Sequence, residues 1–311
     1  MVPVRSARLS AALVCALVVG LTTGCAESAH EVPVRVAESP RASGASADGD
    51  VTHRRLPVED YLLSPTENDR VERARSALIG TCMKRFGFDF TPNTPDYKKM
   101  SGQVSNRYGP TDTKTAAAHG YHPDQPRMGA READAQKALS KDMKRVLGGS
   151  VDSSGKASPR TKESYRGIRI PKDGCSGDSD RRLTAGGGLI QDDAAAIAVN
   201  FESFEKSAAD PRVKKVFAEW STCMKEKKFS YATPLEAIND QRWRTDEPSV
   251  PEIATAVAEV ECKQRYDVVG VWFSVESSYQ RADIKAKAKR MARVRKGIDV
   301  AFRNAAAVVG E

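Results

Sequence analysis

The chain has 311 residues and a formal charge of +8, with 29% charged and only 6% aromatic residues. That length leaves room for one large domain or two small ones, and the sparse aromatics point to a modest core. Only one long apolar run exists, at the N-terminus, which excludes a multi-span membrane protein.

The first predicted element is an export signal. Arg5 and Arg8 precede an apolar run from Leu9 to Leu21, and no acid occurs before Glu27. The run is shorter than the ~20 apolar residues that a span needs. It ends in Leu21-Thr22-Thr23-Gly24-Cys25, which resembles the lipobox of bacterial lipoprotein precursors. Thr22 departs from that pattern, standing where Leu, Val or Ile is usual, although Leu21 sits one place earlier. The resemblance implies that residues 1–24 are a signal peptide, and that Cys25 receives a diacylglycerol (a palmitate-type lipid anchor), often with a third chain on its new amino group. The expected location is the cell membrane, lipid-anchored and facing outside. Each buried CH₂ adds about 0.8 kcal/mol, so two or more chains hold a protein where one does so marginally.

Removal of residues 1–24 takes two positive charges, so +8 becomes +6, and 287 residues remain. Cys15 leaves with the signal and Cys25 is used by lipid. The four that remain, Cys82, Cys175, Cys223 and Cys262, read as two disulfides in an exported chain. Spacing alone leaves three pairings open. A zinc site is the rival reading; scattered cysteines, no CxxC and only four His oppose it, so no metal or cofactor is expected.

Residues 25–56 follow as a tether rich in Ala, Ser, Glu, Arg and Gly, expected to be disordered. Ser64-Pro65-Thr66-Glu67 then announces a helix through a capping box with Pro at its first position. Val71, Ala74, Leu78, Cys82 and Phe86 keep helical spacing, and Gly87 stops it. A similar helix opens later at Asp210-Pro211 and carries Val213, Val216, Phe217, Trp220 and Met224. The two end alike. Cys82-Met83-Lys84, Phe88, Phe90 and Thr91-Pro92 match Cys223-Met224-Lys225, Phe229, Tyr231 and Thr233-Pro234, at an offset of 141 residues from cysteine to Tyr231. This reads as a degenerate internal repeat. It suggests the pairing Cys82–Cys175 and Cys223–Cys262, one bridge per unit, because Cys175 and Cys262 each precede a similar basic stretch.

The first unit, 57–185, then holds 92 residues between its cysteines against 38 in the second, 189–311, and so carries a loop-rich insertion. The insertion is expected to contain a loop at 91–103, a short helix near Thr111–Ala118, a longer one near Arg131–Leu147 and a mobile stretch from Gly148 to Ser158. Tyr165 to Ile170 reads as a short strand, Gly174-Cys175 as a tight turn before a helix capped by Ser176, and Asp192–Ser207 as a helix. Gly186-Gly187-Gly188 is the candidate boundary. Beyond Pro251 proline is absent, and one long C-terminal helix or two in line are expected.

That last segment carries the strongest charge signal. Arg281 to Arg303 holds nine Lys or Arg and two Asp, a local charge of +7. Lys285, Lys287, Lys289, Arg290, Arg293, Arg295 and Lys296 are the candidate anion-binding residues, with anionic lipid or wall polymer as ligand; a solvated helix face is the alternative. Nucleic acid is not an expected partner of a surface-anchored chain. His119-Gly120-Tyr121-His122 invites a metal or catalytic reading, but Gly120 breaks the helix and no carboxylate falls at ligand spacing, so a packed turn is expected. Gly174-Cys175-Ser176-Gly177 lacks the spacing of a nucleophile elbow, and Gly186-Gly187-Gly188 lacks the lysine of a phosphate loop.

The Cys-Met-Lys helix ending in Phe88, Arg107-Tyr108-Gly109 with Gly120-Tyr121-His122, and Gly174-Cys175-Ser176-Gly177 before Arg181-Arg182-Leu183 resemble a group of uncharacterised actinobacterial lipoproteins and secreted proteins. The resemblance covers most of the mature chain and implies an envelope location and no catalytic residues. The expectation is therefore a mainly α, disulfide-supported, two-unit helical repeat with a long basic C-terminal helix. Its expected role is non-catalytic binding or scaffolding at the outer face of the membrane, with an unknown protein partner. An enzyme acting on cell-wall material, or an extracellular sensor partner, is the alternative.

Overall fold

The computed structural model describes residues 54–94, 107–122, 139–149 and 163–310. The signal, Cys25, the tether up to residue 53, residues 95–103 of the expected loop, residues 131–138 of the helix expected at 131–147 and the stretch 150–158 lie outside the described residues; the described part of that helix begins only at Lys141, capped by Ser140.

The body is mainly helical. A 3₁₀ turn (Pro57–Tyr61) leads into α1 (Pro65–Arg85). Then come α2 (Thr113–His119), α3 (Lys141–Gly148), two-residue strands β1 (Ser164–Tyr165) and β2 (Ile168–Arg169), and α4 (Gly174–Leu183). The rest is α5 (Ala194–Ala208), α6 (Pro211–Glu226), α7 (Pro234–Ile238), α8 (Val250–Arg265), α9 (Val268–Ala286) and α10 (Ala288–Val309).

Local chemistry sets most helix starts. Ser64 Oγ accepts the Glu67 N–H at 3.2 Å and Glu67 returns a carboxylate oxygen to the Ser64 N–H at 2.8 Å. Ser249 and Glu252 repeat this box at the start of α8. Asp112, Ser140, Asp193 and Asp210 cap α2, α3, α5 and α6 through their side chains.

Two starts differ from expectation. Ser176 is not the cap of α4: the helix begins at Gly174, after Asp173 in the left-handed region (φ 57°), and Ser176 lies in its first turn. The strand expected at 165–170 is a hairpin, because Arg166 (φ 51°) and Gly167 (φ 77°) turn the chain back so that Tyr165 pairs with Ile168.

The ends of α1 and α6 share one geometry. Phe88 N–H donates to Met83 O at 3.1 Å and Gly87 N–H to Lys84 O at 2.9 Å. Phe229 N–H donates to Met224 O at 2.9 Å and Lys228 N–H to Lys225 O at 3.0 Å. Both are Schellman ends with the residue after the cap at positive φ, 81° at Gly87 and 71° at Lys228. A lysine tolerates that conformation only at some cost, roughly 1–2 kcal/mol. The disulfides are Cys82–Cys175 and Cys223–Cys262, the pairing suggested by the matched helices. Their partner cysteines are placed differently, however. Cys175 opens α4, whereas Cys262 lies near the end of α8.

Packing divides the apolar side chains into one main core and smaller clusters. The main core gathers Trp220 and Phe217 from α6, Trp272 and Val268 from α9, Met291 and Ile298 from α10, and Tyr108. A smaller cluster of Ile79, Met83, Phe86, Val146 and Ile170 surrounds the first disulfide. α1 packs on both α4 and α10, so helices from the two expected units touch. The expected boundary also lies against α10: Leu189 N–H donates to Gly297 O at 2.9 Å, and Asn304 donates to the carbonyls of Leu183 and Ala185.

The stretch beyond Pro251 is three helices rather than one or two: Tyr266 and Asp267, the latter at φ 48°, separate α8 from α9, and Lys287 alone separates α9 from α10. Lys287 N–H closes α9 on Asp283 O at 3.0 Å, and Lys287 O accepts the Arg290 and Met291 N–H groups at 2.9 and 3.0 Å, so Lys287 (φ −103°) ends one ladder and opens the next. Met291, Val294, Ile298, Ala301 and Ala305 form the buried side of α10.

Candidate functional site

Two regions gather the charges singled out in the sequence, and they treat them in opposite ways. The first is the segment from Arg107 to His122, which contains α2. Three buried glutamates from α8 and α9 hold it.

Glu276 of α9 is fully buried and receives the Arg107 guanidinium in a close ion pair, with Arg107 Nε at 2.8 Å from Oε1. Tyr108 Oη donates to Glu276 Oε2 at 2.7 Å, and Ser203 Oγ and Gln280 Nε2 donate to Oε1 at 3.2 and 3.1 Å. Burial and the neighbouring carboxylate push the Tyr108 hydroxyl far above the usual tyrosine range, so it stays a donor. Arg107 also lies over the Phe204 ring, 4.8 Å from its centroid. A buried carboxylate with this many donors is satisfied by its surroundings and has no lone pair turned to solvent.

Glu259 of α8 is buried beside Lys263, whose Nζ is 2.7 Å away and also donates to Tyr108 O. Burial pushes the Glu259 carboxyl up, against the pull of Lys263 and of the Tyr121 hydroxyl. Tyr121 is raised strongly as well, by burial first and Glu259 second.

Glu252 is the third. It completes the cap of α8 and accepts the Tyr121 N–H at 2.8 Å and His122 Nδ1 at 2.8 Å. Gly120 sits at φ 57°, and a Cβ there would come within 2.6 Å of the Glu252 carboxylate, so both conformation and space require glycine. His122 Nε2 meets Thr245 O at 2.9 Å. Both ring nitrogens thus face acceptors, which only the imidazolium satisfies. The pKa of His122 is raised, first by the Thr245 carbonyl and then by Glu252.

The expected packed turn at His119–His122 is therefore present, and the carboxylate that His122 meets lies 130 residues away in sequence. A shallow pocket of about 140 Å³ adjoins it, between Tyr121–His122 and the stretch Ile238–Arg244. Its walls are engaged. Tyr121 stacks on Trp243 with ring centroids 6.0 Å apart, and Trp243 Nε1 donates to Ala237 O. Asp240 is held well below the usual carboxylate range by Arg242, and it accepts the Tyr231 hydroxyl at 2.8 Å. Tyr231 in turn is pushed up to about 12, first by burial and then by Asp240. Neither His122 nor Asp240 is an uncommitted base. Among the described residues no group of three His, Cys, Asp or Glu is placed to hold a metal ion.

The second region is the outer face of α9 and α10. Arg281, Lys285, Lys289, Arg293, Lys296 and Arg303 are all exposed. Arg281 and Lys285 share one side of α9, and Lys289, Arg293, Lys296 and Arg303, at spacings of four, three and seven, share one side of α10. At 1.5 Å per residue the part of this stripe on α10 is roughly 21 Å long. None of the six forms an ion pair among the described residues.

The seven basic residues expected to bind anions separate accordingly. Lys285, Lys289, Arg293 and Lys296 belong to the stripe. Lys287 is half-buried at the junction. Arg290 and Arg295 are committed: Arg290, itself exposed, pairs with Asp193, the cap of α5, at 2.5 Å, and half-buried Arg295 with Glu67 at 2.5 Å and Asp299 at 2.8 Å. Arg295 also donates to Asp60 O at 3.0 Å, which ties the 3₁₀ turn to α10.

Composition flagged the basic helix but not the three glutamates. Glu252 alone had a local signal, as the third residue of a Ser-x-x-Glu box. Glu259 and Glu276 could have been suspected only as acids on otherwise apolar helix faces. No helix among the described residues is long and apolar enough to cross a membrane. No protein-family model, curated protein or solved structure matches this chain.

Proposed function

We propose that the chain is a non-catalytic envelope lipoprotein, anchored by lipid on Cys25 and acting as a binder or scaffold at the outer face of the membrane. The observation that carries the reading is the cationic stripe. Six exposed cations on α9 and α10, without ion pairs among the described residues, are a surface available to an anionic ligand. Each is worth about 1 kcal/mol near a charged surface. The export signal and lipobox-like segment ahead of Cys25 support the location, as do two disulfides of the kind that persist in oxidising compartments. The likeness to actinobacterial lipoproteins and secreted proteins agrees with it. The shared Schellman ends of α1 and α6 support the two-unit repeat as the history of the fold.

The alternative, an enzyme acting on wall material, would need a polar group free for chemistry in a recess. The pocket beside His122 is shallow, and its His and Asp are bound to neighbours. Two measurements test the proposal. Cys25→Ala protein should be released from the membrane fraction by a high-salt wash that leaves the parent chain in place. Capture of envelope components by the unlipidated body should fall when Lys285, Lys289 and Arg293 are changed to Glu. Retention of Cys25→Ala protein through that wash refutes the anchor, and unchanged capture refutes the stripe as the binding surface.

A further inference from the structure

We infer that the cationic stripe docks the body onto an anionic lipid surface, the same bilayer to which Cys25 ties the chain. The inference rests on the anchored reading above and names the ligand of its binding face.

Three observations favour a bilayer over other anions. The first is where the chain enters the body. Arg54, the first described residue, lies over the Phe273 ring of α9, 5.7 Å from its centroid. Six residues later Asp60 is bonded to Arg295 of α10. Between Cys25 and Arg54 the chain takes 29 steps. Whatever its conformation, that segment spans at most about 100 Å. A lipid on Cys25 therefore keeps the helices that bear the stripe within that distance of the membrane. A second contact to the same surface is then an intramolecular event, favoured by effective concentration rather than by affinity alone.

The second is the shape of the charge. Four of the long side chains, Lys289 to Arg303, share one side of α10 over roughly 21 Å, an extended row that suits a flat surface. Tight recognition of one small anion would require several donors converging on one point.

The third is the disposition of the acids that pack near these helices. Asp193 lies against Arg290, Glu67 and Asp299 against Arg295, and Asp283 against Lys206. Each is paired with a cation outside the stripe; Asp193 also feels the Arg293 charge, so the row keeps most of its own. The exposed apolar pair on α5, Ile197 and Phe201, is not part of the docking face. Glu202 and Glu205 flank Phe201 and are exposed, so an anionic surface would repel that side.

The test uses residues 26–311, which lack the lipid but keep every described residue and both disulfides. Vesicles of phosphatidylcholine, with or without roughly one third phosphatidylglycerol, are sedimented at about 0.05 and about 0.3 M salt, where screening differs strongly. The chain should pellet with the anionic vesicles only, and at least about tenfold less at the higher salt. Reversal of Lys285, Lys289, Arg293 and Lys296 to Glu should lower binding at least about tenfold. Reversal of Lys214, Lys215, Lys225 and Lys228, which gives the same net charge from exposed positions on and just after α6, should leave it within about twofold. Equal losses in both variants would overturn the inference, because net charge rather than the stripe would then bind. Absence of vesicle binding, with binding to a soluble poly(glycerol phosphate) instead, would overturn it in favour of a wall polymer. Incorporation of labelled fatty acid at Cys25 in cells reads the anchor alone. Failure of the anchored reading is thereby distinguished from failure of the docking surface.

Discussion

The clamped segment 107–122 and the cationic stripe meet on the same helix, α9, and they use charge in opposite ways. Glu276 and Gln280 face inward and are saturated with partners, while Arg281 and Lys285 on the other side have no ion partner among the described residues. Burial decides the difference. A charge inside a protein must be paired, because leaving water costs several kcal/mol, whereas an exposed lysine keeps its hydration and can wait for a ligand. The buried glutamates are thus architecture, and the exposed cations are the available surface.

The largest expected effect breaks the first half of that comparison. Glu276→Ala leaves Arg107 partly desolvated and unpaired, and should destabilise the body by about 3–5 kcal/mol in urea unfolding. The double variant Arg107→Met with Glu276→Leu should recover much of that loss. If Glu276→Ala were neutral, the clamp would not be structural.

Next comes the disulfide that closes the smaller cluster. Replacement of Cys82 and Cys175 by Ala should cost about 2–5 kcal/mol, because the bridge joins residues 93 apart in a region with a small core.

His122 gives a smaller effect whose sign is set by protonation. Its folded pKa is raised above the unfolded value of about 6.5. The stabilisation is therefore fully present below about pH 6.5 and is lost as pH rises through the folded pKa. Loss of one hydrogen bond to a charged ring is on the order of 1 kcal/mol. His122→Phe should flatten this part of the stability–pH curve; an unchanged curve would remove the imidazolium bridge.

The smallest effect sharpens the other half. Lys285→Ala, Lys289→Ala and Lys296→Ala should each shift stability by less than about 0.5 kcal/mol, while binding to anionic vesicles falls. A large loss of stability in any of them would mean that the stripe supports the fold rather than a ligand.

Much of this was legible from local pattern, since caps, stops and apolar spacing act within a few residues. Ser64-Pro65-Thr66-Glu67 announced α1, Asp210-Pro211 announced α6, and the matched Cys-Met-Lys ends suggested the disulfide pairing that the structure has. The density of Lys and Arg from 281 to 303 marked the basic helix for the same reason. Only tertiary packing decided which of those cations are spoken for, because Asp193 and Glu67 reach Arg290 and Arg295 from 97 and 228 residues away. It also decided that His122 meets Glu252 and that Arg107 and Tyr108 meet Glu276. No local rule brings such pairs together; the cost of burying a charge without its partner does.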